Sequence, residues 1–389
     1  MFDWWLIAVP AIVTGALIPV AIRARSIGHD PVHGVQKLHA VSTSRLGGAV
    51  VFVAFFAVAA LAHFVGYKSM SVALLLALAG LPVVATGVWE DVTRSVRPRY
   101  RLLAAIVSAA IASAVVGGIV PRVDVAVLDR LLVFAWVALP LTWFMVAGAC
   151  NAINLIDGAN GLAGGTAFIM FGGIALMAGI GGDAVTLAPA LAMMGVLAGF
   201  LFWNYPRGRV FLGDAGAYFV GFMYAELSIQ LIAHNDAISA WYVIMLAGYP
   251  IVDTLVAMYR RGWVRRRPLM TPDALHLHSL VYRRVTLPLE RRREAQTGQH
   301  RPHYRPPLSD ETRLRANGRV APRVWLHSAL CFALAVVFHD NTPALWFGLL
   351  VYAAFYMNRY RTLVRFRRRR ARRTETAVPP ETDLVNPKP

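Results

Sequence analysis

The stretch LLVFAWVALPLTWFMVAGACNAINLIDGANGLAGG (residues 131–165) changes character at its middle. Its first twenty residues carry no charge, enough for one helix to cross a hydrocarbon layer ~30 Å thick. The rest sets Asp157 and three asparagines, Asn151, Asn154 and Asn160, among small residues. A membrane helix that delivers polar groups to one end is the reading this pattern supports.

The same alternation runs through the chain. Apolar runs lie at 4–22, 46–66, 72–88, 101–120, 131–150, 161–180, 185–204, 213–233, 239–259, 323–339 and 343–360. Over 389 residues the chain is 57% hydrophobic and 15% charged, where soluble domains carry about 25% charge. The expected fold class is therefore all-α, a polytopic integral membrane protein with about eleven transmembrane helices. The first run lacks the basic leader of a cleaved signal and counts as a span. Cys150 and Cys331 sit at or inside apolar runs, which suggests packing rather than a disulfide framework or metal cluster.

The net charge of +18 raises the question of nucleic acid. Its distribution answers differently. With the N-terminus outside, 36 of the 39 Lys and Arg fall between spans on the inner side, and Lys68, Arg122 and Arg130 remain outside. Setting aside the 16 basic residues of the long segment 260–323, a split of 20 to 3 still places the N-terminus outside and the C-terminus in the cytoplasm. RFRRRRARR (365–373) holds a single Phe, so it lacks the interleaved aromatics of a nucleic-acid groove. Anionic lipid headgroups are the better partner. Residues 289–318 and the tail after Arg373 are polar and without apolar periodicity, and both are expected to be disordered or loosely ordered.

On this topology HGVQKLHAVSTSRLGG (33–48), GVWEDVTRSVRPR (87–99), NAINLIDGANG (151–161), FWNYPRGRVFLGDAGAYFVGF (202–222) and PDALHLHSLVYRR (272–284) all fall at the cytoplasmic face. Glu90 and Asp91 end an apolar helix, where the dipole disfavours carboxylates. A divalent cation would offset that cost, and Mg²⁺ takes such hard oxygen ligands beside phosphates; a solvated helix end balanced by Arg94, Arg97 and Arg99 is the alternative. Asp214 opens the next helix between Gly213 and Gly216, as an N-cap or at a phosphate site. Asp157 could also cap a helix, yet Asn151, Asn154 and Asn160 supply more hydrogen-bonding groups than a cap needs. His276 and His278 suit anion binding, with a zinc pair or a solvated loop as alternatives. Glu226, deep in a span, is left unassigned.

Together these blocks resemble the polyprenyl-phosphate N-acetylhexosamine-1-phosphate transferase superfamily, from about Lys37 to His278. Its K-x-H…PRxGG element falls on Lys37, His39, Arg45, Gly47 and Gly48, and its Asp-Asp motif on Glu90 and Asp91. NxxDGxDGLA falls on Asn154, Asp157, Gly158, Asn160 and Gly161; N-x-P…GDxGS on Asn204, Pro206, Gly213, Asp214 and Gly216; and D-x-x-H-x-H-H on Asp273, His276 and His278. Three departures stand out: Glu90 for the first Asp of the pair, Asn160 for the second Asp of DGxDG, and Ser279 for the third histidine. They point to a branch that initiates O-antigen, capsule or exopolysaccharide synthesis, and they leave the sugar open.

The resemblance implies a bacterial inner-membrane enzyme that transfers an amino-sugar 1-phosphate from a UDP-amino sugar to a polyprenyl phosphate, with Mg²⁺ as cofactor and Mn²⁺ as the alternative ion. Asp214 and Asp91 are the expected metal ligands, and Glu90, Asp91 and Asp157 the catalytic acids. Lys37, Arg45, Asn154, Asn160, Asn204, His276 and His278 are expected to bind substrate. Residues 1–360 would form one transmembrane catalytic domain with a cytoplasmic loop at 260–322, and 361–389 a basic disordered tail; membrane lipids and a homodimer are the further partners considered. The main rival is a multi-pass transporter or flippase, which would place ionisable groups near the midplane of several helices.

Overall fold

The computed structural model describes residues 3–23, 28–30, 43–266, 275–297 and 309–375. Within a hydrocarbon layer the backbone has no water to bond, so apolar runs become helices that satisfy their own amides. The runs fold as α1 (Trp5–Arg23), α2 (Gly47–Phe64), the pair α3 (Met70–Ala79) and α4 (Leu81–Thr93), and α5 (Pro98–Val115). After a short helix α6 (Ala126–Leu132) come α7 (Ala135–Ile156), α8 (Leu162–Ile180), α9 (Ala184–Asn204) and α10 (Gly213–His234). Then follow α11 (Trp241–Leu246), α12 (Gly248–Tyr259), α13 (Leu277–Val281), α14 (Leu287–Thr297), α15 (Asp310–Gly318), α16 (Val320–Val337) and α17 (Thr342–Glu375).

Among the described residues, eight helices are long and apolar enough to cross a membrane, and nine if α3 and α4, bent by 50°, count as one span. This is the architecture of a polytopic membrane protein. The sequence gives eleven apolar runs, and the difference has a local cause. Residues 239–259 form two short helices parted at Ala247, with Pro250 in the first turn of α12, and residues 343–360 begin α17, whose later turns are arginine-rich. Pro82 near the start of α4 marks the other break; a proline has no amide to continue the preceding turn.

α10 is the axis of the bundle. Every residue from Gly213 to Ile232 is buried, as expected of a helix that is apolar on all sides. It packs on α2, α4, α7 and α8. The outward faces of other helices instead present large apolar side chains, among them Ile12, Phe144, Phe202 and Phe347, a surface suited to lipid.

Three features differ from expectation. Residues 287–297 and 310–318 are helical rather than loose, with 298–308 outside the described residues, because Glu290 of α14 pairs with Arg319 beyond α15 and the Ser309 hydroxyl accepts the Thr312 amide at 3.2 Å. α17 stays helical through residue 375, into the segment expected to be a disordered tail; residues 376–389 lie outside the described set. A two-residue antiparallel pair, β1 (His29–Asp30) with β2 (Thr43–Ser44), interrupts the all-helical fold. It holds the entry to α2 against the entry to α10: the Phe211 amide donates to Ser44 O at 2.8 Å, and the Gly47 amide to Phe211 O at 3.1 Å.

Candidate active site

The amides that open a helix need acceptors, and α10 takes its own from another helix. Asp91, fully buried on α4, accepts the Asp214 amide at 2.9 Å on Oδ1 and the Ala215 amide at 3.0 Å on Oδ2. The side chain of Asp214 is therefore not needed as a cap. Gly213, at φ +68, makes this approach possible, since a side chain there would run into Arg45 O and the Asp91 carboxylate.

Freed from capping, the Asp214 carboxylate meets only side chains. Oδ1 accepts from Arg45 Nη2 at 2.9 Å and Asn154 Nδ2 at 3.3 Å, and Oδ2 pairs with Arg101. Arg45 also reaches Asp91, Nε to Oδ1 at 3.0 Å, and so bridges two carboxylates. Asp157, just past α7, accepts the Gly213 amide and lies near Arg45; burial, only partly offset by that guanidinium and amide, pushes its carboxyl up to about 7. Three carboxylates from three helices thus surround Arg45.

Arg101 was not among the residues singled out from sequence. Its signal was present: a cation in the first turn of α5 opposes the helix dipole, so some other anion must hold it there. Its Nε is buried without a hydrogen-bond partner.

The remaining predicted residues divide. Glu90, half-buried, accepts the Val96 amide at 2.9 Å and closes the turn after α4. Asn204 spends both its groups on backbone, Oδ1 accepting the Gly161 amide at 2.5 Å and Nδ2 donating to Val210 O at 2.6 Å, while Asn160 Nδ2 donates to Pro206 O at 2.9 Å and its Oδ1 is buried without a partner among the described residues. These bonds set the loops that carry Asp157 and Asp214. His276 and His278 stack at 5.6 Å with planes 9° apart, and a methyl group on Gly158 would overlap His278 Nε2. The HLH turn therefore rests directly on the residue after Asp157. Burial and the neighbouring His276 pull His278 down to about 3, so it is uncharged at neutral pH, and its Nδ1 is buried without a hydrogen-bond partner among the described residues. Lys37, His39 and Asp273 lie outside the described residues.

Glu226 belongs to a different region. Twelve residues along α10 from Asp214, about 18 Å at 1.5 Å per residue, its two oxygens are buried without partners beside Gly118. On the surface beyond α12, an open apolar groove of 730 Å³ is lined by Leu255, Met258, Tyr259, Gly262, Trp263 and Arg266.

Among the described residues no group of three or more His, Cys, Asp or Glu is already arranged to hold a metal ion. Arginines occupy the space between the carboxylates instead.

Residues 73–232 match the family model described as glycosyl transferase family 4. Over that stretch the chain is similar to this family. It is 29% identical over 273 residues to a probable undecaprenyl-phosphate N-acetylglucosaminyl 1-phosphate transferase of Bacillus subtilis, covering 69% of this chain and 72% of that protein. Against a phospho-N-acetylmuramoyl-pentapeptide-transferase of Oceanobacillus iheyensis it is 39% identical over 121 residues, 31% of this chain and 35% of the relative. An undecaprenyl-phosphate alpha-N-acetylglucosaminyl 1-phosphate transferase of Escherichia coli K12 is 30% identical over 148 residues, 37% of this chain and 40% of the relative. The chain thus aligns with under half the length of the latter two. The matched stretch 73–232 holds Asp91, Arg101, Asn154, Asp157 and Asp214, while Arg45 and the HLH turn reach the same place from either side of it.

Proposed function

We propose that the protein transfers a sugar 1-phosphate from a UDP-amino sugar to undecaprenyl phosphate, giving undecaprenyl-diphospho-sugar and UMP. The similarity to family 4 supports the reaction class, and one observation carries the assignment to this site. Arg45 and Arg101 converge on Asp214 from separate elements, and Arg101 retains a buried donor with no partner. Two guanidiniums held by a carboxylate, one of them still lacking an acceptor, suit an incoming diphosphate, whose oxygens accept several charge-assisted bonds at once.

The donor set fits Mg²⁺ chemically. Asp214, Asp157 and Asn154 offer hard oxygens of the kind this ion takes beside substrate phosphates. The partners of Asp214 are all side chains and can yield, whereas Asp91 is tied to two amides of α10. We therefore assign the metal chiefly to Asp214, with Asn154 or Asp157 beside it, and give Asp91 the task of fixing Asp214. Bound there, the ion would neutralise diphosphate oxygens.

The nucleophile is a lipid phosphate with a second pKa of about 6, mostly dianionic at pH 7. It needs relief from repulsion more than it needs a base. Arg45 and Arg101 supply that relief by leaving Asp214 for the phosphates, and the buried site strengthens each such contact. Asp157 and the HLH turn on Gly158 shape the nucleotide side. The apolar groove ending at Arg266 suits the isoprenoid chain, which stays in the bilayer while a water-soluble nucleotide enters from the cytoplasm.

This reading places the site at the cytoplasmic face of the inner membrane, with eleven crossings, the N-terminus outside and the C-terminus inside. The basis is the 36 basic residues that fall on that side. A role in initiating cell-surface polysaccharide follows from the departures at Glu90, Asn160 and Ser279. The test is the product. Purified protein with Mg²⁺, undecaprenyl phosphate and a panel of UDP-GlcNAc, UDP-GalNAc and deoxy-amino-sugar nucleotides should release UMP with one of them. Release of UDP would mean sugar transfer, and no release with any would reject the assignment.

A further inference from the structure

Asp253 carries no assignment so far, yet it is a buried carboxylate, 1% exposed, on α12. Its Oδ2 lies 2.7 Å from His276 Nδ1, and its Oδ1 accepts the Leu277 amide at 3.1 Å and the Tyr356 hydroxyl. On the far side of the same imidazole, Arg261 Nη2 lies 3.1 Å from His276 Nε2. Arginine can only donate. His276 Nε2 must therefore accept, which leaves the ring proton on Nδ1, facing Asp253. One carboxylate and one guanidinium thus select a single tautomer of His276.

We propose that Asp253 is a positioning residue for the HLH turn. By accepting from His276 Nδ1 it presents the Nε2 lone pair to Arg261, and by accepting from the Leu277 amide it fixes the first turn of α13. His278 stacks on the oriented ring and rests on Gly158, next to Asp157. The connection runs from Tyr356 on α17, through Asp253 on α12, to the loop after α7. A carboxylate that orients a histidine from behind sets both its tautomer and its ring plane. The functional part of this inference rests on the transfer reaction proposed above, and the tautomer part does not.

Asp253→Asn tests it, because the amide has the same shape but turns a donor toward His276 Nδ1. The ring proton then moves to Nε2, where it opposes a donor of Arg261. With ¹⁵N-histidine-labelled protein and a His276→Gln sample to assign the resonance, His276 in the wild type should carry its proton on Nδ1, and Asp253→Asn should move it to Nε2. Wild-type protonation on Nε2 would overturn the proposal, as would an unchanged tautomer in the variant. In transfer assays with undecaprenyl phosphate and whichever UDP-sugar of the panel supports UMP release, Asp253→Asn should lower kcat/KM by roughly 10- to 100-fold, the range for losing a partner that orients a ligand histidine. The packing control is Tyr360→Phe, which removes a hydrogen bond to α17 from Arg260, just past α12, at 2.9 Å, and should leave kcat/KM unchanged. Equal losses at equal thermal stability would mean that Asp253 merely packs two helices. If the wild type transfers nothing, the proposed reaction fails, and the NMR measurement still decides the role of Asp253.

Discussion

Asp91 and Asp214 stand on different helices, and the carboxylate of the first accepts the backbone amide of the second at 2.9 Å. One acid therefore holds the other in place, and the two should fail differently. Asp91→Ala removes an acceptor for two helix-opening amides and should cost about 0.5–2 kcal/mol of stability. Its melting temperature in detergent should fall together with activity. Asp214→Asn keeps a polar group of the same shape and should melt close to the wild type.

Arg101 separates binding from folding. Hydrogen bonds to charged groups contribute about 1.5–3 kcal/mol, so Arg101→Ala should lower kcat/KM for the UDP-sugar by about 10- to 100-fold. Its side chain also reaches Asp214 in the free protein, and Arg101→Lys should recover part of the loss. Steady-state kinetics of both variants, beside their melting curves, checks this.

The carboxyl of Asp157, pushed up to about 7 by burial, predicts a pH dependence. Because the folded value lies above the ordinary one, the folded protein binds this proton more tightly than the unfolded chain does. The stabilisation is complete at acid pH and is lost as pH rises through 7. Activity should run the other way, since the ionised carboxylate is the form that accepts from Gly213 and can ligate a cation. Initial rates at saturating substrate should climb through pH 7, and Asp157→Asn should lack that climb.

Gly158 is where the HLH turn touches the loop after α7. In Gly158→Ala the new methyl group overlaps the His278 ring, and overpacking of this kind costs about 1–3 kcal/mol. The variant should melt lower and bind UDP-GlcNAc more weakly by calorimetry. A wild-type affinity would mean that the turn has no part in the nucleotide site.

The sequence was most informative where one residue type does one thing. Apolar runs marked the helices, and Asp157 and Asp214 stood out because acids beside such runs demand a reason. Relations between helices were less legible. Nothing in GVWED says that Asp91 will cap α10, because that depends on where α4 crosses it. Asp253 was passed over for the same reason: inside YPIVDTLVAMY its partners are His276 and Tyr356, 23 and 103 residues away. Asn160 and Asn204 show the same limit, because a surplus of amides looks alike in sequence whether it binds a ligand, stitches loops or does both. The helix α14 was hidden by its lack of apolar periodicity, although LERRREAQ is made largely of good helix formers.

The central claim is that Asp214, fixed by Asp91 and flanked by Arg45 and Arg101, is where the diphosphate and its magnesium ion are held. Its most direct test is Mg²⁺-dependent transfer of radiolabelled sugar 1-phosphate to undecaprenyl phosphate in membranes that contain Asp214→Asn at the wild-type level. The account predicts loss of transfer at every Mg²⁺ concentration, while turnover equal to the wild type would contradict it.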